Sequence, residues 1–302
     1  MSLLVADEVA LAVAAAGPVV ALETSVIGQG LPHPRNLECA ERMTAAIRGA
    51  GAVPAWIGLV DGTVIVGLDG DELDRFATEE GVTKVARRDV PFALAAGERG
   101  ATTVSATIWA AHRAGIGIGA TGGIGGVHRG AHPDVSADLL ELASTPVLLV
   151  CSGPKSIVDP ALTAEKLEEL GVAVVGYRTD RLPGFLASWT DVELEHRVDD
   201  PAAAAALAAA RDRAGIDAAI LLCHPVPAAS ALPPDEVDAA TAAAQEALEA
   251  EGVTGKAVTP FLLSAIAART DGRSLDANLD LLEDNARVAA EVAVALSAAR
   301  SG

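Results

Sequence analysis

An α/β fold with a helical C-terminal segment is what three observations on the 302-residue chain predict. Short Val/Ile/Leu runs alternate with Ala-rich helical stretches from the N-terminus to about residue 227, and helical patterns alone follow. The composition is 51% hydrophobic but 3% aromatic, which suits alanine-faced helices on aliphatic strands better than a β-sandwich. No linker, low-complexity segment or internal repeat interrupts the alternation, so residues 1–302 read as one domain.

Charge narrows the partners. With 41 acidic against 22 basic side chains, the net charge of −19 excludes nucleic-acid polymers and anionic membranes, which need basic surface. A single phosphate monoester needs only a local group of donors and stays allowed. Cys39, Cys151 and Cys223 form no CxxC and sit in apolar runs, the pattern of buried thiols in a reducing compartment. The N-terminus lacks a basic signal-peptide start, and no apolar run reaches the ~20 residues that span a bilayer. The expectation is a soluble, cytoplasmic protein.

Taken in order, residues 3–16 read as a short helix and 18–24 (PVVALET) as a buried strand ending in Glu23. Two readings stand for Glu23: a strand-end acid facing solvent, or a general acid tuned by burial. Residues 28–34 (GQGLPHP) read as a Gly/Pro turn, and 35–51 as a helix closed by Gly51. Residues 52–68 form a hairpin turning at Asp61-Gly62. A charged helix covers 71–80. Lys84, Arg87 and Arg88 then make the densest basic cluster of an acidic chain, between a short strand and a helix start. Such a run is either a solvated loop or a phosphate clamp.

The stretch from Gly117 to Ser156 concentrates the chemistry. Gly117, Gly119 and Gly122 match GxGxxG, but the following GIGGVHRGAHP cannot start a helix, so dinucleotide binding is rejected. His128 and His132 are spaced for a zinc face on a helix, yet Gly130 and Pro133 argue against a helix there and favour loop histidines. Asp134, Ser136 and Asp138 alternate like the start of a calcium loop without its distal Glu. Ser136 equally suits the N-cap of the helix SADLLELAS. The strand PVLLVCS then delivers Lys155 near its C-terminal end, where open α/β sheets keep their active sites.

Beyond it, a helix (160–170) and a strand (172–178) precede a surface loop, TDRLPGFLASWTDVELEHRVDD. Residues 201–214 form an Ala-rich helix and 218–227 a strand ending near His224, either a satisfied core histidine or a site neighbour. Helices then cover 233–251, TPFLLSAIAART and 274–299, the last carrying Asn278 and Asn285 on one face.

Several stretches together resemble the pseudouridine-5′-phosphate glycosidases, also called the indigoidine-synthase-A-like family. They are VALETSVIGQGLPHPRN, VPAWIGLVDGTVIVGL, KVARRD, GATTVSAT, ATGGIGGVHRGAHPDVSADLLELA, CSGPKSIVD and the segment from GKAVTPFLL to VAVAL near the C-terminus. They run in order over nearly the whole chain. The resemblance implies a three-layer α/β/α domain with a mixed central sheet, a homotrimer, and one Mn²⁺ per subunit. It implies reversible cleavage of the C–C glycosidic bond of pseudouridine 5′-phosphate, giving uracil and ribose 5-phosphate. It places the proton donor on Glu23, the nucleophile on Lys155 and the metal ligand on Asp134. Substrate contacts fall on Lys84, Val104, Ser136, Ala137, Asp138, His128 and Asn278, with Asn285 the second choice for the last. Two stretches depart from the family pattern: GQG at 28–30, and a short connection from Arg129 to Asp134.

The chemistry suits those groups. A base leaving as carbon gains little from a pair of carboxylates alone, whereas an amine bonded to C1′ turns that carbon into an iminium once the ribose opens. Lys84, with Arg87 or Arg88, would anchor the phosphate. Two alternatives compete: a class I aldolase-like Schiff-base enzyme, for which the chain lacks eight regular β/α units, and a sugar-phosphate sensor that needs neither Glu23 nor Lys155.

Overall fold

The computed structural model describes residues 3–129 and 134–301. Leu3–Val5 (β1) and Asp7–Ala14 (α1) lead into Val19–Glu23 (β2) and Arg35–Gly49 (α2). The hairpin Val53–Val60 (β3) and Thr63–Val66 (β4) is followed by Gly70–Thr78 (α3), Thr83–Val85 (β5), Val90–Ala96 (α4) and Gly100–Thr102 (β6). Val104–Arg113 (α5), Ile118–Ala120 (β7), Val127–His128 (β8), Ala137–Leu142 (α6) and Leu148–Cys151 (β9) carry the glycine stretch. Val158–Asp159 (β10), Pro160–Glu169 (α7), Ala173–Tyr177 (β11), His196–Val198 (β12), Pro201–Ala214 (α8) and Ile220–Cys223 (β13) complete the alternation. Three helices close the chain: Pro234–Glu251 (α9), Val258–Arg269 (α10) and Arg273–Ser301 (α11).

Among the described residues eleven strands form one open sheet in the order β1-β4-β3-β2-β7-β9-β13-β11-β12, with β6 on β3 and β5 on β6, and β8 pairs antiparallel with β10 in a separate two-stranded sheet. It is mixed. β2, β7, β9, β13 and β11 run parallel, whereas β3 is antiparallel to β4 and to β6. An open sheet is not a closed (β/α)₈ barrel, which removes the structural basis of the aldolase-like alternative.

Strand periodicity builds the layers. Val20 and Leu22 of β2 join a core with Met43 and Ile47 of α2 and Leu281 and Val292 of α11, while Val19 and Ala21 face Val9 of α1 and Ala106 and Ala110 of α5. In β9, Leu148 and Val150 join the first core, and Leu149 and Cys151 pack with Leu139 of α6 and Leu167 of α7. Helices therefore cover both faces, giving the α/β/α layering. Small residues such as Ala286, Ala289, Ala290 and Ala293 let α11 lie against both α2 and α8.

Local signals act as read. Asp61 and Gly62 both have positive φ, the requirement of the two-residue hairpin turn. The Asp159 and Asp200 side chains accept hydrogen bonds from Leu162 N and Ala203 N and cap α7 and α8, each followed by proline at the first helical position. No helix begins at the Gly117–Gly122 turn; among the described residues the next one starts at Ala137. All three cysteines are buried and free, and burial pushes the Cys39 thiol up to about 12. Among the described residues no helix is long and apolar enough to cross a membrane.

Three local expectations are corrected. Residues 3–5 are not helical: they pair in parallel with β4, because their extended backbone completes the sheet edge. The turn after β2 contains a π-helical segment, Val26–Gly30. The stretch read as a surface loop contributes β12, and it buries Leu182, Phe185 and Leu186. Hydrophobic residues spaced irregularly along it gave no period from which burial could be read.

His224 lies away from the site and is only partly satisfied, its Nδ1 being buried without a hydrogen-bond partner among the described residues. Its Nε2 lies 2.6 Å from Asp284 Oδ2 on α11, and its ring packs edge-on against Tyr177. Burial pushes the Asp284 carboxyl up, but hydrogen bonds from His224 and Arg287 outweigh it and hold the group at about 2, against an ordinary 3.8. A depressed folded-state value stabilises the fold above the unfolded value, and that stability is lost as pH falls through 3.8 towards 2. Asp284→Asn is therefore expected to cost roughly 2 kcal/mol at pH 7 and progressively less below pH 4, measured by urea unfolding across pH.

Candidate active site

The C-terminal ends of β2, β7 and β9 open onto a two-lobed cleft closed from above by the start of α10 and by α11. Ser25, Lys84, Lys155 and Thr259 line both lobes. The inner lobe adds Glu23, Thr121, Gly122, Phe185, Asn278 and Leu282. The outer lobe, about 220 Å³, adds Arg88, Thr103, His128, Asp134, Ser136 and Asp138, with Val104 and Ala137 in its wall. Ten positions singled out in the sequence thus come to one place: Glu23, Lys84, Val104, His128, Asp134, Ser136, Ala137, Asp138, Lys155 and Asn278. His132 lies outside the described residues.

Glu23 is the last residue of β2 and is 5% exposed. Its Oε2 accepts from Ser25 Oγ at 2.6 Å, and its Oε1 accepts from Thr121 Oγ1 at the end of β7. Two hydroxyls from separate loops thus fix the carboxyl plane. Below it, Thr24 Oγ1 and Thr102 Oγ1 both donate to Ile57 O, at 2.7 and 2.6 Å, tying β2 to β3 and β6. Of the two readings of Glu23, the solvent-facing one is set aside.

Lys155 follows β9 by four residues, on a backbone pinned at both sides. Its N–H donates to Ile124 O and its carbonyl accepts from Val158 N, each at 3.0 Å. Gly153 makes the preceding bend possible: its φ is +81°, and a Cβ there would lie 2.2 Å from Pro183 O. Lys84 is in the middle of β5 and reaches both lobes from the opposite wall. Burial lowers the His128 imidazole from its ordinary value; Asp134 opposes this, and Lys84 and Lys155 add to it. The histidine and both lysines therefore share one electrostatic neighbourhood.

Asp138 frames the outer lobe. Its Oδ1 accepts from Ser105 N and its Oδ2 from Gly125 N, both at 3.0 Å, joining the start of α5 to the glycine loop. Ser136 caps α6 through Asp138 N at 3.2 Å. Gly125 must be glycine for this to close, since a Cβ there would lie 2.3 Å from Ser136 Oγ. The capping and binding readings of Ser136 thus coexist. Of the two arginines left open, Arg87 pairs through its guanidinium with buried Glu141 at 2.7 Å and lines neither lobe, so Arg88 is the arginine facing the cleft. Of the two asparagines on α11, Asn285 donates to Thr121 O and Ser152 Oγ at 3.0 Å and is a packing residue. Asn278 lines the inner lobe, and its amide is bonded to no described residue.

Sequence reasoning missed Ser25, Thr121, Gln29, Phe185 and Thr259. Ser25 had a signal, a hydroxyl two residues after a strand-end acid. Phe185 had none, because it reaches the cleft from the segment read as a surface loop.

Asp134 is exposed at the mouth of the outer lobe, and His128 N donates to its carbonyl at 2.9 Å. Among the described residues no group of three His, Cys, Asp or Glu gathers around it. That donor set does not suit a zinc site, which needs several protein ligands, but it fits a hard cation that keeps most of its waters and takes one carboxylate.

An open α/β/α sheet that carries a clamped acid and a lysine into one lobe, beside a cation-lined second lobe, defines an enzyme of small anionic substrates. The chain belongs to the indigoidine synthase A-like protein family, whose model matches residues 8–295. It is 51% identical over 296 residues to the pseudouridine-5′-phosphate glycosidase of Herpetosiphon aurantiacus, covering 97% of this chain and 98% of that one. To the glycosidase of the same name from Gemmatimonas aurantiaca it is 51% identical over 278 residues, covering 92% and 91%. Among solved structures it resembles the prealnumycin C-glycosynthase AlnA in complex with ribulose 5-phosphate (TM-score 0.91, 43% identity, 100% of this chain and 99% of that one). It also resembles an indigoidine synthase A-like protein from Thermotoga maritima (TM-score 0.90, 37% identity, 98% and 97%).

Proposed function

We propose that this protein reversibly cleaves the C–C glycosidic bond of pseudouridine 5′-phosphate to uracil and ribose 5-phosphate through a lysine adduct at C1′. The observation that carries this reading is the presence of Glu23 and Lys155 in one inner lobe, inside a family whose full-length relatives bear that activity in their names. Glu23 gives its proton to the ring oxygen as C1′–O4′ breaks, and the neutral Lys155 amine bonds to C1′. The ammonium so formed returns a proton to the Glu23 carboxylate, the freed nitrogen lone pair forms C=N as C1′–C5 breaks, the bonding pair goes to uracil C5, and C5 takes that proton from Glu23. Water adds to the iminium carbon and releases Lys155, so one water is consumed overall. Lys84 and Arg88 hold the 5′-phosphate in the outer lobe, and His128, in its neutral form, sits beside it. Ser136, Ala137, Asp138 and Val104 shape the wall against the sugar phosphate, and the Asn278 amide faces the base.

Asp134 is the residue that would hold Mn²⁺; bound there, the ion supplies positive charge beside phosphate and sugar oxygens. The active unit is a single 1–302 domain, assembled as a homotrimer in the cytoplasm. The three buried free thiols are consistent with a reducing compartment. Incubating the purified protein with pseudouridine 5′-phosphate and Mn²⁺ is expected to release uracil, followed by chromatography. Substrate that binds without uracil appearing would replace this reading with that of a sensor. Light scattering at the elution peak checks the trimer.

A further inference from the structure

We propose that Gln29 reads the leaving base, its Oε1 accepting an N–H from the uracil ring opposite the Asn278 amide. This rests on the C-nucleotide reading above. Gln29 lines the inner lobe. Its Nε2 donates to Val82 O at 2.9 Å, and because that carbonyl can only accept, the amide cannot turn round. Its Oε1 is buried and has no hydrogen-bond partner. A buried acceptor held in one orientation and left unbonded is rare in a folded protein, and it marks a position that a ligand or water completes.

The backbone beneath it is built to hold it still. Gln29 is inside the π-helical turn Val26–Gly30, a geometry that recurs at functional sites. Leu31 N closes that turn on Val26 O at 3.0 Å, and Asn36 Nδ2 donates to Ile27 O at 3.0 Å. Gly28 lets the turn press against β6, where an added Cβ would come within 3.1 Å of Ala101 Cβ.

The chemistry selects the base over the rest of the substrate. A fixed acceptor repels phosphate oxygens, and Arg88 lines only the other lobe, while Lys84 reaches both. Phe185 and Leu282 give the inner lobe apolar walls suited to a flat ring. An imide edge alternates N–H with carbonyl oxygens. The Gln29 acceptor and the unbonded Asn278 amide, which can donate, supply the complementary pair.

The test runs the reaction in the synthetic direction, from uracil and ribose 5-phosphate, with wild type, Gln29→Leu and the near-isosteric Gln29→Met. The expected result is a KM for uracil raised about tenfold or more in both variants, with the KM for ribose 5-phosphate within about twofold of wild type. In addition, wild type is expected to reject either 1-methyluracil or 3-methyluracil more strongly than the other, and Gln29→Leu to lose that preference. An unchanged uracil KM, or a rise in the ribose 5-phosphate KM instead, would overturn the inference while leaving the function intact. A wild type that forms no product would overturn the underlying reading, and this inference with it.

Discussion

Lys155→Ala is expected to lower the rate of uracil release by at least ~10³-fold, about 4 kcal/mol of barrier, while substrate still binds. The side chain can be removed without disturbing its support. The Lys155 backbone is held by Ile124 O and Val158 N, and neither bond involves the amine. Lys155→Arg should be as inactive, because a guanidinium keeps the charge but is not a nucleophile. A second readout separates covalent from electrostatic roles. Borohydride added with ribose 5-phosphate should reduce the imine to a stable amine on the wild-type peptide containing Lys155, and on neither variant. Uracil release by Lys155→Ala at a rate near wild type would sink the adduct.

The second large effect belongs to Glu23→Gln, for which kcat is expected to fall by ~10²–10⁴-fold with KM little changed. Glutamine preserves the volume and can still accept from one of the two hydroxyls that hold the carboxyl, Ser25 Oγ or Thr121 Oγ1. It has no acidic proton to give to the ring oxygen. Ser25→Ala removes one clamp and leaves the acid, so its loss should be much smaller. A melting temperature for Glu23→Gln close to wild type would show that the effect is chemical; retention of wild-type kcat would remove Glu23 from the proton-donor role.

How much of this was readable beforehand follows from the range of each interaction. Glu23 at the end of PVVALET and Lys155 after PVLLVCS were legible because a strand end is marked by a change from apolar to polar residues within a few positions. Ser136 was legible as a cap because a cap acts on the next turn of chain. Arg87 and Arg88 were indistinguishable in sequence; their fates separate because buried Glu141, 54 positions away, takes one of them. Asn278 and Asn285 share a helix face, yet one turns to the cleft and the other to Thr121 and Ser152. Charge clustering marked Lys84 and alternation marked Asp134, but the resemblance to a family supplied their roles, and it alone marked Val104.

Alternation of apolar runs, the Asp61-Gly62 turn and the helix caps are written in neighbouring residues. They were enough to establish an α/β chain, the hairpin, the absence of a dinucleotide-binding helix and most helix limits. Sheet order is another matter. It depends on the total apolar surface that both faces of β2, β9 and β13 bury against α2, α5, α6 and α11, and that sum has no local signature. The clamp of Thr121 on Glu23 spans 98 positions. The same assembly brings Phe185 out of an irregular stretch, leaves Gln29 Oε1 without a partner, and closes α10 and α11 over the lysines. Those features arise from long-range packing, so the cleft existed in the sequence as a set of residue types and acquired its geometry only on folding.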